Sequence, residues 1–249
     1  MDLQLNYQFI FVISALLAFF LTKTIKKIAI RFQIIDKPDM IRKIHKKSTP
    51  LLGGVAIFVS FFAVLLLIGE KLISGDLELR HWLGVFIGAS FLMIGGFLDD
   101  KYDLKPGRQL IWPILAAISV IIGGVEVEKI TNPFGGYIYF DQYLLSPLLI
   151  ILWLLAMMYT TKLLDGVDGL VSGIGSIGGL VIFLFTATTQ YFQPDIALAS
   201  LAFSGACLGF LILNWNPAKI FLGEGGSLLV GFILGVLAII SGGKIAIAL

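Results

Sequence analysis

Eight long apolar segments divide this chain, and they constrain its fold more than any other feature. A membrane-spanning helix needs about 20 mostly apolar residues. The chain is 58% hydrophobic and 14% charged, whereas a soluble domain carries about 45–50% apolar and about 25% charged residues. One soluble core cannot hide this much apolar surface, so the composition excludes a soluble enzyme and also a disordered chain. The predicted spans are residues 7–23, 51–69, 81–98, 110–124, 144–161, 170–189, 196–213 and 228–241.

These segments predict an all-α integral membrane fold, with residues 1–249 forming one domain. The domain is a polytopic helix bundle of about eight complete spans and the start of a ninth. The last residues, SGGKIAIAL, begin another apolar segment and stop, which favours a chain that is incomplete at its C-terminus. Residues 125–140, VEVEKITNPFGGYIYF, alternate apolar and polar side chains around a Pro/Gly turn. That pattern predicts a small extracytoplasmic β-hairpin.

The basic residues indicate which way the bundle crosses the membrane. Fourteen of the 18 Lys and Arg residues lie in the loops that follow spans one, three, five and seven. Lys and Arg are enriched in cytoplasmic loops, so these loops are predicted to be inside and the N-terminus outside.

Six carboxylates lie in three of these inside loops, directly beside span ends. If residues 99–103 continue a helix, Asp99 and Asp103 share one helix face at i,i+4; Asp165 and Asp168 similarly share a face at i,i+3. Glycines interleave with the acids and permit tight turns or close approach of a ligand. Ser227 is a candidate N-cap of the last span, where backbone N–H groups can receive an anion. The acids are Asp99, Asp100, Asp103, Asp165, Asp168 and Glu224, and Gly223 and Gly225 flank the last of them.

Clustered carboxylates repel one another unless they are protonated or bridged by a cation. Mg²⁺ satisfies such oxygens, and it commonly takes one or two carboxylates together with substrate phosphates. The first inside loop supplies the opposite charge with Arg42, Lys43 and His45. Solvated loop charges and attraction to anionic lipid explain single groups equally well. Taken together, the acidic loops and this basic loop favour phosphoryl chemistry on an anionic ligand at the inner membrane face.

Four motifs occur in order on these loops: DKPDMIRKIHKKSTPLLGG, FLDDKYDLKP, KLLDGVDGL and NPAKIFLGEGGSLLVGF. With them the chain resembles the polyprenyl-phosphate N-acetylhexosamine-1-phosphate transferases, the membrane group that includes the MraY and WecA/TagO types. The resemblance runs from Asp36 to Gly231, and the first loop is more similar to the WecA/TagO branch.

The resemblance implies an enzyme of the bacterial inner membrane with its active site on the cytoplasmic face. Such an enzyme transfers N-acetylhexosamine-1-phosphate, expected to be GlcNAc-1-phosphate, from a UDP-sugar to undecaprenyl phosphate. UMP is released, and a lipid-linked pyrophosphoryl sugar for cell-envelope polysaccharide forms. Mg²⁺, or Mn²⁺ in its place, is the implied cofactor. The implied partners are the UDP-N-acetylhexosamine, the lipid carrier, the bilayer and, by analogy, a second copy of the chain; no nucleic-acid partner is expected.

The same resemblance implies roles for the individual residues. Asp99 and Asp100 look like the acidic pair near the phosphates, with Asp99 the candidate base, and Asp165 and Asp168 look like the nucleotide-side acids. Glu224, with Asp100, is the candidate metal ligand. The candidate substrate-binding residues are Arg42, Lys43, His45, Asp103, Lys162, Gly223, Gly225 and Ser227.

This chain departs from the family pattern at two positions. Relatives usually carry Asp where this chain has Glu224, and Asn where it has Lys162. An ammonium cannot ligate a cation, although it can hold a phosphate as a point charge. The two changes are compatible with a compensated site, a different substrate or an inactive enzyme. Three alternatives therefore remain beside the GlcNAc reaction: a phospho-MurNAc-pentapeptide transferase, an inactive relative that serves as a membrane partner, and a transporter.

Overall fold

The described residues form a bundle of apolar helices with two very short antiparallel ladders. The computed structural model describes residues 3–36, 48–73, 77–127, 129–131, 136–139, 143–188 and 192–245. A short 3₁₀ turn, Gly69–Leu72, follows the second helix. The helices are α1 (Leu3–Arg31), α2 (Gly53–Ile68), α3 (Leu79–Tyr102), α4 (Pro106–Gln109), α5 (Ile111–Ile122), α6 (Leu145–Leu164), α7 (Leu170–Thr188), α8 (Pro194–Asn214) and α9 (Glu224–Ile245).

An apolar helix lies at each of the eight predicted spans, which confirms the all-α membrane fold. Six of these helices in the described part of the chain are long and apolar enough to cross a bilayer. The other two, Gly53–Ile68 and the Pro106–Ile122 stretch that holds α4 and α5, are shorter. Helix α1 continues to Arg31, well past the predicted end at residue 23. The apolar segment ends at Lys23. Lysines are good helix formers, so α1 continues beyond its apolar part.

Two helices form the centre of the bundle. Helix α8 packs on α1, α2 and α7, and α9 packs on α2, α3, α6 and α7. Small and polar residues mediate several of these contacts, as is usual between membrane helices. The Ser14 hydroxyl donates a hydrogen bond to the Ala202 carbonyl at 2.5 Å and joins α1 to α8. The outer helices expose large apolar side chains, among them Phe9, Leu16 and Phe20 of α1, which suit a lipid environment.

The predicted hairpin is present. Strands β3 (Lys129–Thr131) and β4 (Tyr137–Tyr139) pair antiparallel, with Ile130 opposite Ile138. A second ladder was not predicted: β1 (Ile35–Asp36) pairs antiparallel with β2 (Thr49–Pro50). Such two-residue segments are too short to show a sequence alternation.

Several helix termini of the described residues meet at one end of the bundle. The N–H groups of Gly53 and Gly54, which begin α2, donate to the carbonyls of Phe221 and Leu222 just before α9, each at 2.9 Å. Gly96, near the end of α3, packs its backbone directly on that of Gly225 in α9, where a Cβ atom would collide. The ends of α6 and α8 and the start of α7 join the same end through the contacts described next.

Candidate active site

A contact between Asp100 and the start of α9 links two of the acidic loops. The Glu224 N–H donates to Asp100 Oδ1 at 3.1 Å. Gly223, just before it, has φ of +76°, and a Cβ atom there would lie 2.6 Å from Asp100 Oδ2. A side chain at this position would therefore be strained in its backbone and would strike the carboxylate. Gly223 allows the chain to turn tightly against Asp100.

Lys162 links the end of α6 to Glu224 at the start of α9. Its Nζ lies 2.7 Å from Glu224 Oε2 and donates to Gln109 Oε1 at 3.3 Å. The Glu224 oxygen is buried, and it receives no hydrogen bond with regular geometry from the described residues. One ammonium thus bridges three elements, α4, α6 and α9.

Asp99 fixes the turn that follows α3. Its Oδ1 accepts hydrogen bonds from the Leu104 N–H at 2.8 Å and from Gln109 Nε2 at 3.0 Å. The prediction that Asp99 and Asp103 share a helix face is wrong, because α3 ends at Tyr102. Asp103 is the C-cap in the left-handed region, with φ of 49°, and its side chain is exposed. Asp residues tolerate this conformation better than most others.

Among the site residues that lie outside the helices, Asp165 has the largest shift in pKa. It follows directly after α6 and is partly buried. Burial, and then the negative charges of Glu224 and Asp100, raise the pKa of Asp165 to about 8. Its carboxyl group therefore binds a proton near neutral pH unless a cation offsets the surrounding charge.

Asp168 connects two loops. Its Oδ2 accepts hydrogen bonds from Asn216 Nδ2 at 3.1 Å and from the Ala218 N–H at 3.0 Å. The prediction that Asp165 and Asp168 share a helix face is wrong, because both residues lie between α6 and α7. Gly169, with φ of +75°, belongs to this turn, and such a conformation cannot continue a helix.

Asn214, at the end of α8, fixes the turn between α6 and α7 through hydrogen bonds. Its Oδ1 accepts bonds from the Gly169 N–H at 3.1 Å and the Ser172 hydroxyl at 2.9 Å. Its Nδ2 donates to the Ile220 carbonyl at 3.0 Å. The side chain is buried, so all three bonds are shielded from water.

Ser227 is not the N-cap of α9, contrary to the prediction. The helix begins at Glu224, three residues earlier, and the Ser227 hydroxyl donates back to the Glu224 carbonyl at 3.1 Å. Ser227 is buried inside the first turn. Gly225 is buried as well, against the Leu92 carbonyl of α3. The predicted substrate-binding residues Arg42, Lys43 and His45 lie outside the described residues.

A small open pocket, with room for about one water molecule, lies beside Asp100. Leu52 and Val55, at the start of α2, and Met93 and Phe97 of α3 form the side of its lining that faces Leu222, Gly225 and Gly226. The Asp100 carboxylate thus borders apolar side chains, close to the helix ends.

The oxygen ligands at this end suit a divalent cation only in part. Within the described ranges, no three acidic, histidine or cysteine side chains are close enough together to hold a metal ion. Mg²⁺ nevertheless needs only one or two carboxylates when substrate phosphates complete its shell. The buried Glu224 Oε2, which lacks a regular hydrogen bond, fits such a ligand, with Asp100 as its neighbour.

Sequence reasoning missed two residues of this region, Gln109 and Asn214. Gln109 lies after KPGR, seven residues beyond the end of α3, and Asn214 lies in the motif-flanking sequence NWNPAK. Both are amides at a helix end beside an acidic loop. That position is a usable signal, because a buried amide can satisfy donors and acceptors of two loops at once.

Much of the chain is similar to known proteins. Residues 82–242 match the model of glycosyl transferase family 4. A probable undecaprenyl-phosphate N-acetylglucosaminyl 1-phosphate transferase of Bacillus subtilis is 31% identical, over 92% of this chain and 62% of that protein. A decaprenyl-phosphate N-acetylglucosaminephosphotransferase of Mycolicibacterium smegmatis is 30% identical, over 94% of this chain and 59% of that protein.

A third relative, the phospho-N-acetylmuramoyl-pentapeptide-transferase of Shouchella clausii, is 35% identical over 79% of this chain and 62% of that protein. The chain thus spans about three fifths of the length of these curated relatives. The family match covers more than half of the chain and includes the ends of α3 and α6 and the start of α9. The chain belongs to glycosyl transferase family 4.

Proposed function

We propose that this protein transfers N-acetylhexosamine-1-phosphate, in the first place GlcNAc-1-phosphate, from a UDP-sugar to undecaprenyl phosphate. The acceptor phosphate attacks the phosphorus that bears the sugar, and the bond from that phosphorus to the UMP oxygen breaks. UMP leaves, and a lipid-linked pyrophosphoryl sugar remains. The reaction is assigned to the cytoplasmic face of the bacterial inner membrane, because the loops at this end carry most of the Lys and Arg residues.

One observation carries the proposal: the ends of α3 and α6 meet the start of α9. Asp100 binds the Glu224 backbone, and Glu224 pairs with Lys162, although these residues are far apart in the sequence. Carboxylates and an ammonium on one aqueous rim can position two phosphate groups. Positioning and charge neutralisation are the main protein contributions to phosphoryl transfer.

The two substrates reach this rim from different sides. Apolar side chains beside Asp100, among them Leu52, Met93 and Phe97, would contact the first part of a polyprenyl chain, with its phosphate at the helix ends. Lys162 already lies beside the acidic side chain of Glu224. Its ammonium group can bind the donor diphosphate as a compact point charge.

Glu224 and Asp100 are the residues that would hold Mg²⁺, or Mn²⁺ in its place. The ion would supply neutralisation of the phosphate charge during transfer. Asp165 adds a carboxyl group beside them, and Asp168 holds the nucleotide-side turn by binding Asn216 and Ala218.

Asp99 is proposed as the base on the acceptor side, with a small contribution. A phosphate monoester is mostly ionised at neutral pH, so it needs little help to lose a proton. One oxygen of Asp99 already accepts two hydrogen bonds, and that contact orients the carboxylate. Its replacement by Asn should therefore lower the rate less than replacement of Glu224 does.

The test is UMP release by the purified full-length protein in detergent with undecaprenyl phosphate, UDP-GlcNAc and Mg²⁺. The proposal predicts UMP release that requires both substrates and that falls by at least about 100-fold in Glu224→Gln, the size typical for an essential electrostatic group. Lys105→Met, which alters an exposed side chain at the same membrane face, is the matched control and should retain activity. Absence of release with GlcNAc, GalNAc and MurNAc-pentapeptide donors would overturn the proposal.

A phospho-N-acetylmuramoyl-pentapeptide donor is the second candidate. It is favoured by the 35% identity to the Shouchella clausii relative of that name. The same assay separates the two, since UMP release with UDP-MurNAc-pentapeptide but not with UDP-GlcNAc would assign the second reaction. The homodimer expected from the family stays a prediction.

A further inference from the structure

The ion pair between Lys162 and Glu224 occupies the place where the family pattern implies a metal ligand. Lys162 Nζ lies 2.7 Å from Glu224 Oε2, and the two side chains are only 22% and 36% exposed. Exposed pairs of this kind contribute little, whereas partial burial reduces the screening by water. Glu224 therefore already has a close cation from the protein itself.

Gln109 holds that cation in place. Its Oε1 accepts a bond from Lys162 Nζ at 3.3 Å, while its Nε2 donates to Asp99 Oδ1 at 3.0 Å and to the Leu104 carbonyl at 2.9 Å. The amide is thus fixed by α3 and the following turn. This anchor keeps the flexible Lys162 side chain directed at Glu224.

A divalent cation and an ammonium compete for one carboxylate. Both are attracted to the same carboxylate, and they repel each other at short distance. A metal ion therefore binds Glu224 more strongly when Lys162 has moved to another anion. A diphosphate is the anion that the proposed reaction brings to this rim, and it can accept the three donors of an ammonium.

We propose that Lys162 is a built-in counter-cation that lowers the affinity of Glu224 for divalent ions until a nucleoside diphosphate draws the ammonium away. Metal binding then follows donor binding instead of preceding it. The second half of this inference rests on the proposed function, whereas the first half concerns the protein alone. The reciprocal coupling between metal and diphosphate follows from linkage.

The test measures Mn²⁺ binding by the purified protein in detergent, from the loss of the free-ion electron paramagnetic resonance signal, with no nucleotide or lipid present. Lys162→Met and Lys162→Asn each remove the charge. We expect at least about tenfold tighter Mn²⁺ binding in both variants, the size typical of a changed neighbour of a metal ligand. Two variants are used because one of them can fail to fold.

Two further proteins locate the effect. Lys105→Met removes a charge from an exposed position on the same face, and it should change the affinity by less than about twofold because water and salt screen it. The double variant Lys162→Met/Glu224→Gln should lose the gain. Unchanged or weaker binding in the folded Lys162 variants, an equal gain in Lys105→Met, or no Mn²⁺ binding by any of the proteins would overturn the inference. The result is independent of the transferase assay, because neither substrate is present.

Discussion

Replacement of Asn214 by Leu tests most directly which hydrogen bonds stabilise the turn before α7. Asn214 accepts bonds from the Gly169 N–H and the Ser172 hydroxyl and donates to the Ile220 carbonyl. Leu is similar in size but makes none of these bonds. The variant therefore leaves the Gly169 N–H and the Ile220 carbonyl without the Asn214 side chain as partner.

The magnitude follows from this inventory. A buried hydrogen bond contributes about 1 kcal/mol net, and a stranded buried group costs about 1–3 kcal/mol. The three bonds of Asn214 together give a loss of about 3–5 kcal/mol. For a chain of this size about 1 kcal/mol shifts Tm by about 2–4 °C, so Asn214→Leu should unfold at least about 6 °C below the wild type.

The assay is thermal unfolding in detergent, followed by UMP release at a temperature where the variant is folded. Ser172→Ala removes one of the bonds and should lower Tm by a third or less of the Asn214→Leu shift. Ser14→Ala removes a single buried bond between α1 and α8; it should lower Tm slightly and leave UMP release unchanged. A Tm of Asn214→Leu within about 1 °C of the wild type, which is below the effect of one buried bond, would refute the reasoning.

Three further predictions concern the acidic loops. The folded-state pKa of Asp165 is about 8, above the ordinary value of 3.8, so the folded protein binds a proton there that the unfolded chain releases. Stability in EDTA should therefore fall as pH rises from about 4 to 8, and Asp165→Asn should flatten the Tm profile; parallel profiles would contradict this. Gly223→Ala should lower the free energy of unfolding by about 1–2 kcal/mol, because an alanine is strained at the positive φ of this position. UMP release should fall as well, because the new Cβ atom collides with Asp100. A wild-type Tm and a wild-type rate of UMP release would contradict this prediction. Asp168→Asn keeps an acceptor oxygen for Asn216 and Ala218, so its Tm should stay closer to the wild type than that of Asp168→Ala; the reverse order would exclude the loop-holding role.

The membrane fold and the meeting of the Asp100 and Glu224 loops could be predicted from the sequence. Apolar length reports spans directly, and loops that follow alternate spans necessarily lie on one face. The ends of α3 and α6 were therefore expected beside the start of α9, and the Asp100–Glu224 and Lys162–Glu224 contacts agree with that expectation.

The individual contacts could not be predicted, because they depend on helix ends and helix rotation. Asp103 leaves the helix through a left-handed cap, and Ser227 lies one turn inside α9; neither boundary is marked by apolar periodicity. The bonds of Gln109 and Asn214 join loops that are far apart in sequence, so only the packed bundle brings the partners together. The Lys at position 162 could be recognised as a departure from the motif that the resemblance implies, but its Glu224 partner could not be predicted.

The central claim is that the ends of α3 and α6 and the start of α9 form one binding site for a sugar nucleotide. An experimental structure of the full-length protein with a non-transferable UDP-sugar analogue tests it most directly. The account predicts a diphosphate oxygen within about 4 Å of Lys162 Nζ, the range of an ion pair, with Asp100 and Glu224 beside it. A nucleotide bound elsewhere, with the Lys162–Glu224 pair intact, would contradict the account.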